Sequence, residues 1–265
     1  MRIVHGKKTG LARGVPFLLV LLGTACEFPI SAWAGPSQPS AEVLFAQANQ
    51  VYNKNDFAGA ADKYKQLLDT GMASGQLLYN LGNCHFRMGR LGRAMVYYER
   101  ARRFIPRNRN LLANIALTES RVMDKIVPPK LSLVAQKLFL WRDRLTASEI
   151  SMLFLGTNAA FWLALATLTV ARNRFVKAAV VCIGILLVLS GGSYAFEQIE
   201  QRSLGYAIVV ADEAAVRTGP GDYGVKFDLH EGARLKLVES REGWFQIRLA
   251  DGKRGWIGAD AVARI

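Results

Sequence analysis

Two stretches, residues 151–171 and 178–196, contain no charged side chain, and no other feature narrows the possible folds so far. As a helix rising about 1.5 Å per residue, each can cross a hydrocarbon layer of about 30 Å. Both are predicted to be transmembrane helices. Residues 172–177 between them (Arg172-Asn173-Arg174-Phe175-Val176-Lys177) carry three positive charges and leave room only for a turn, which the positive-inside bias makes cytoplasmic. Both long flanks of the hairpin then lie outside. Lys137, Arg142 and Arg144, close to the first span on the proposed outer side, weigh against that charge count. Neither span holds Asp, Glu, Lys, Arg or His, so a proton or ion pathway has no chemical basis. Asn158 in the first span and Gly184, Gly191, Gly192 and Ser193 in the second suit a helix–helix contact.

The N-terminus supports the same orientation. Arg2, Lys7, Lys8 and Arg13 precede an apolar stretch from Val15 to Cys26, then Pro29 and Ala32-Trp33-Ala34. A basic end, a short apolar middle and an A-x-A end describe a secretory signal, so residues 1–34 are expected to lie outside the mature fold. A lipoprotein signal at Gly23-Thr24-Ala25-Cys26 and an uncleaved anchor are the competing readings. Of the remaining cysteines, Cys182 lies in an apolar run and Cys84 alone would face an oxidising compartment, where one thiol cannot form an internal bridge. With no His-Asp pair or second Cys beside it, Cys84 reads as a small buried helix residue.

From Ala41 the chain repeats itself. Leu44, Ala48, Val51, Ala60, Tyr64 and Leu67 align with Leu78, Gly82, His85, Ala94, Tyr98 and Ala101, each pair 34 residues apart. That period, with small residues where paired helices touch and an aromatic four residues after Ala60 and Ala94, resembles the tetratricopeptide repeat. Residues 41–125 are therefore expected to form units 41–74 and 75–108 with a capping helix, 109–125. The family binds peptides on the concave side, which here would present Asn49, Tyr52, Asn80, Asn83, Phe86, Arg87 and Asn114. The asparagine amides could bond an extended peptide, but the lysines that grip a terminal carboxylate elsewhere in the family are missing at the matching positions. Asparagine is equally at home on any solvated helix face. Within 41–125 basic side chains outnumber acidic ones by thirteen to seven, with Arg100, Arg102, Arg103, Arg107 and Arg109 bunched together. Two readings stand: a surface for an acidic protein, or a solvated cationic helix end.

Residues 128–146 are expected to form an amphipathic juxtamembrane helix, because Leu131, Val134, Leu138, Trp141 and Leu145 recur at three-four spacing. Its stripe suits the outer interface, with Trp141 as anchor, or a place beneath the repeats. From Ser203 the pattern changes to period two: Leu235 and Leu237 alternate with Arg234 and Lys236, and Phe245, Ile247 and Leu249 with Trp244, Gln246 and Arg248. These are short strands, and Asp251-Gly252 suggests a two-residue hairpin. Val216-Arg217, Gly219-Pro220-Gly221, Gly232, Trp244 and Gly255-Trp256-Ile257 resemble the bacterial SH3-like family, which makes 203–265 a small barrel. Trp244 and Trp256 are its candidate contact residues; a Trp at 244 could equally cover one end of the barrel.

The expected fold class is thus multidomain α plus β: an all-α tetratricopeptide-repeat solenoid, a transmembrane helical hairpin and a small all-β SH3-like barrel. His5, His85 and His230 show no metal-ligand spacing, and there is no phosphate loop or nucleophile motif, so no enzyme, cofactor or metal site is expected. The order signal, repeats, hairpin, barrel is similar to the BatE-type proteins of the bacterial aerotolerance group. That resemblance implies an inner-membrane scaffold with both soluble parts periplasmic. Its implied partners are von Willebrand-type membrane proteins and, indirectly, a MoxR-type ATPase. The alternative is an adaptor whose SH3-like part binds peptidoglycan while the repeats recruit a wall enzyme. Nucleic acid is not an expected partner.

Overall fold

Helix starts in the repeat region are set by short polar caps. Ser40, Asp56, Ser74 and Asn108 each accept a hydrogen bond from the backbone N–H three residues on, opening α1 (Ala41–Asn53), α2 (Phe57–Asp69), α3 (Gly75–Arg87) and α5 (Arg109–Arg121). α4 (Leu91–Phe104) lacks a side-chain cap. The computed structural model describes residues 40–126, 144–171, 173–221 and 223–265. The expected signal, 1–34, Arg172 and most of the juxtamembrane helix, including Trp141, lie outside the described residues.

α1 pairs with α2 and α3 with α4, and α5 covers the end. The 34-residue period holds in space. Ala60 and Ala94, and Tyr64 and Tyr98, are buried at matching places, as are Ala48 and Gly82 at the helix crossings. The capping helix stops at Arg121, short of the expected 125: Val122 turns extended (ψ 139°), and the Lys125 ammonium satisfies the carbonyls of Glu119 and Ser120 at 2.9 and 2.8 Å. Residues beyond it turn towards the C-terminal barrel.

α6 (Ala147–Val170) opens on a capping box between Thr146 and Glu149, and α7 (Arg174–Arg202) returns beside it. Both are long and apolar enough to cross a membrane, the second over Arg174–Ile199. They meet through stacked rings of Phe154 and Tyr194, a hydrogen bond of 2.8 Å between Thr157 and Ser190, and Gly184 beneath the Phe161 ring. These pairings run antiparallel, so Ala147 and Arg202 emerge at one end. Helix resumes at Arg174, so Arg174 and Lys177 project from the first turn of α7 and not from a loop.

Seven strands form one antiparallel sheet in the order β3-β2-β6-β5-β4-β1-β7. They are β1 (Tyr206–Val209), β2 (Glu213–Arg217), β3 (Val225–His230), β4 (Arg234–Arg241), β5 (Trp244–Arg248), β6 (Arg254–Gly258) and β7 (Val262–Arg264). Val209, Val216, Leu229, Leu235, Ile247, Ile257 and Val262 meet in one core, as a barrel requires. The two-residue hairpin lies at Glu242-Gly243, where both φ are positive (40° and 82°) and Arg241 pairs with Trp244. Asp251-Gly252 instead closes a longer loop. Gly252 N–H donates to Leu249 at 3.0 Å, Leu249 N–H to Lys253 at 2.9 Å, and Gly252 takes φ of 93°.

Repeats and barrel share a core. Ile208, fully buried, points out of the barrel to join Leu78, Ala94, Met95, Tyr98 and Leu111. Polar contacts ring this seam. Glu99, 4% exposed, bonds Arg102 at 2.9 Å and Arg234 at 3.2 Å. Gly92 N–H donates to Glu231 at 2.9 Å, and Asp124 accepts from His230 N–H at 2.7 Å. The arginine run is used within the chain: Arg100 and Arg103 donate to the carbonyls of Arg264 and Ile265 at 2.6 and 2.9 Å, and Arg107 pairs with Glu149.

Candidate functional site

Two surfaces carry the residues singled out above. On the repeats, α1, α3 and α5 line the inner face, but its asparagines are bonded inward. Tyr64 donates to Asn49, and Tyr98 donates to Asn83 at 2.9 Å. Asn80 reaches Asn49 at 3.3 Å and the Tyr64 hydroxyl at 3.2 Å. One period later, Asn114 reaches Asn83 at 2.9 Å and the Tyr79 hydroxyl at 3.2 Å. The four amides therefore form a ladder that stitches successive helices and satisfies buried tyrosine hydroxyls. Burial pushes the Tyr64 hydroxyl up to about 12 and raises that of Tyr98 further, so both stay protonated donors. What the face leaves available is Arg87, whose guanidinium lies 4.4 Å from the Phe57 ring centre and bonds Tyr52, and Arg121 over Phe86 at 4.8 Å.

Behind this face, burial pushes the Cys84 thiol up to about 12, which removes its nucleophilic form. His85, 7% exposed, stacks on Tyr97 with ring centres 5.2 Å apart. Its Nδ1 has no hydrogen-bond partner among the described residues. Burial, helped by Arg93 and Arg90, lowers its pKa to about 4. A base with a lowered folded-state pKa binds fewer protons folded than unfolded, so folding weakens as pH falls from about 6.5 to about 4. The loss should total roughly 3 kcal/mol. His85→Phe is expected to flatten this acid limb when melting temperature is followed from pH 7 to 4; an unchanged limb would place the titration elsewhere.

On the barrel, alternation along β5 turns Trp244, Gln246 and Arg248 outward. Strand register sets Trp256 opposite Gln246, and Arg217 opposite Trp256, so both tryptophans share the outer face. The Arg217 guanidinium lies 5.8 Å from the Trp244 ring centre and that of Arg241 5.7 Å from the Trp256 ring centre. Trp256 is only 7% exposed and forms the floor of this patch, whereas Trp244 is half-buried and Tyr223, 57% exposed, stands at its edge. Trp256 is thus a support and Trp244 the more accessible of the two rings. Two aromatic planes between two guanidinium groups suit flat or carboxylate-bearing groups. Sequence reading missed Arg217 and Arg241 here, though the β5 alternation could have found Arg241 through its hairpin partner.

Clefts of about 510 and 790 Å³ also lie where repeats and barrel meet; the first is lined by Arg102 and Arg103 of the arginine run, and neither is lined by the asparagine face or by Trp244 or Trp256. Among known proteins, residues 212–263 match the bacterial SH3 domain family and 75–108 the tetratricopeptide repeat family. A 54-residue segment, 20% of the chain, is 37% identical to YrvJ of Bacillus subtilis (strain 168), which is named an N-acetylmuramoyl-L-alanine amidase. The chain spans about 10% of that relative's length. The chain therefore carries a tetratricopeptide repeat and a bacterial SH3 domain, joined to a pair of long apolar helices.

Proposed function

We propose that this protein is a non-enzymatic scaffold of the bacterial envelope, held by α6 and α7 in the inner membrane and displaying repeats and barrel together in the periplasm. The observation that carries this reading is the shared core around Ile208: two interaction folds sit as one body at the end of the hairpin where both flanks emerge. The module order supports a BatE-type role beside von Willebrand-type membrane proteins. The basic turn supports the orientation. Reporter fusions after Ile126 and after Ile265 are expected to behave as periplasmic and one at Phe175 as cytoplasmic. Opposite behaviour of the two ends would sink the topology.

A second reading is favoured by the segment shared with a protein named for amidase action on N-acetylmuramoyl-L-alanine. On it, the Trp244 face holds carboxylate-bearing wall peptides. One experiment weighs both. The full chain, solubilised from membranes, is assayed for co-purifying proteins and for retention on purified sacculi, as wild type and as Trp244→Ala. Losing an open aromatic anchor should weaken binding about 30-fold. Loss of proteins alone supports the scaffold, loss of sacculus retention supports the wall adaptor, and no change in either refutes the barrel face as a binding surface.

A further inference from the structure

The side of α6 facing α7 is built on Phe154, Thr157 and Phe161. A second stripe of α6 runs beside it: Ser151, Leu155, Asn158, Trp162, Leu165 and Thr169 follow one another at alternating steps of four and three, the spacing of a coiled-coil seam. Leu155 and Trp162 are 65% and 60% exposed, which lipid alone would suit. Asn158 is different. It lies at the middle of the helix, and among the described residues nothing hydrogen-bonds its carboxamide. Every hydroxyl of α6 has a partner: Ser148 meets Thr146, Ser151 donates to Ala147, Thr157 to Leu153, Thr167 to Ala164 and Thr169 to Ala166. Halfway across a hydrocarbon layer no water is at hand to serve an unmet amide.

We infer that α6 docks in parallel on α6 of a second copy of this chain, about a two-fold axis, with the two Asn158 carboxamides hydrogen-bonded to each other. The inference rests on the reading of α6 as a membrane span. Two copies inserted with one orientation can be related by an axis normal to the membrane, which sets each seam residue against itself. A side chain that both donates and accepts satisfies its own copy there, and asparagine does so through reciprocal amide bonds. Its seam neighbours are uncharged, so nothing opposes the approach. A polar residue at one seam position also fixes register.

The test uses the full chain in native membrane vesicles, with Cys26→Ala and Cys182→Ala to remove competing thiols and the buried Cys84 left in place. One further cysteine is placed on the seam, Leu155→Cys or Trp162→Cys, or on the opposite face, Leu153→Cys or Ala160→Cys, both exposed, and oxidised with copper phenanthroline. The seam positions are expected to give disulfide dimers of twice the chain mass, several-fold more than the others. Asn158→Leu should lower the dimerisation constant about five- to thirty-fold, and Asn158→Gln should retain most of it. Equal cross-linking on both faces, none at all, indifference to Asn158→Leu, or a seam-specific product of another mass overturns the dimer. Alkaline carbonate extraction of the same vesicles separates the two ideas. Chain that stays in the pellet without dimers leaves the spans standing, whereas chain released into the supernatant removes both.

Discussion

Gly82→Leu is expected to unfold the repeat region, and Gly82→Ala to destabilise it measurably. A Cβ at this position would lie 2.4 Å from two ring carbons of Tyr98, well inside contact distance. The ring cannot step aside. Its hydroxyl is tied to Asn83 at 2.9 Å, and its body is fully buried with Leu78, Ala94 and Leu111. Overpacking a close-packed site costs about 1–3 kcal/mol and more when both neighbours are fixed. The first unit supplies the control, because Ala48 occupies the matching position beside Tyr64 with its Cβ accommodated. Ala48→Gly should therefore cost only about 1 kcal/mol, the ordinary penalty for glycine in a helix. Circular dichroism at 222 nm on the full chain in detergent would follow this. An unchanged melting curve for Gly82→Leu would mean that Gly82 does not lie at the crossing.

What could be read from the sequence was whatever repeats along the chain. The 34-residue period located the helices and their small crossing residues, and alternation located the barrel core, because burial on one face leaves a local trace. The role of the asparagines left a trace too, but a subtler one. Asn49 and Asn83, Asn80 and Asn114, Tyr64 and Tyr98 are all one period apart, and an amide repeated with a buried hydroxyl is more naturally its bonding partner than a spare surface group. Nothing local could show where Arg100 and Arg103 reach, since their acceptors are the last two carbonyls of the chain. Tyr206-Ala207-Ile208-Val209 was legible in principle: an apolar run without alternation indicates a strand covered on both sides, and the second cover is the repeat domain. Glu242-Gly243 was hidden by the stronger Asp251-Gly252 turn signal, although the tighter turn belongs to the weaker dipeptide.

The other large effect is expected at Gly92, where any side chain should separate repeats from barrel while leaving each folded. A Cβ there would lie 2.3 Å from the Val209 carbonyl oxygen and 2.7 Å from Glu231 Cγ. The obstacle on one side is backbone, which cannot rotate away, so relief requires the end of β1 and the loop between β3 and β4 to move off the start of α4. That movement breaks the Gly92–Glu231 hydrogen bond, worth about 1.5–3 kcal/mol as a bond to a charged group. It also exposes Ile208, worth about 1.5–3 kcal/mol of apolar burial. Glu99 would keep Arg102 but lose Arg234. The first repeat unit around Tyr64 and the barrel around Val216 and Ile247 touch neither residue, so both cores survive. Calorimetry of the full chain in detergent should accordingly pass from one transition to two in Gly92→Leu, with faster hydrogen exchange in β1. Glu231→Ala removes the same hydrogen bond without adding bulk and should weaken docking less. If Gly92→Leu keeps a single transition at the wild-type temperature, Ile208 does not bind the two domains together, and a scaffold that holds its two surfaces at a fixed spacing loses its structural basis.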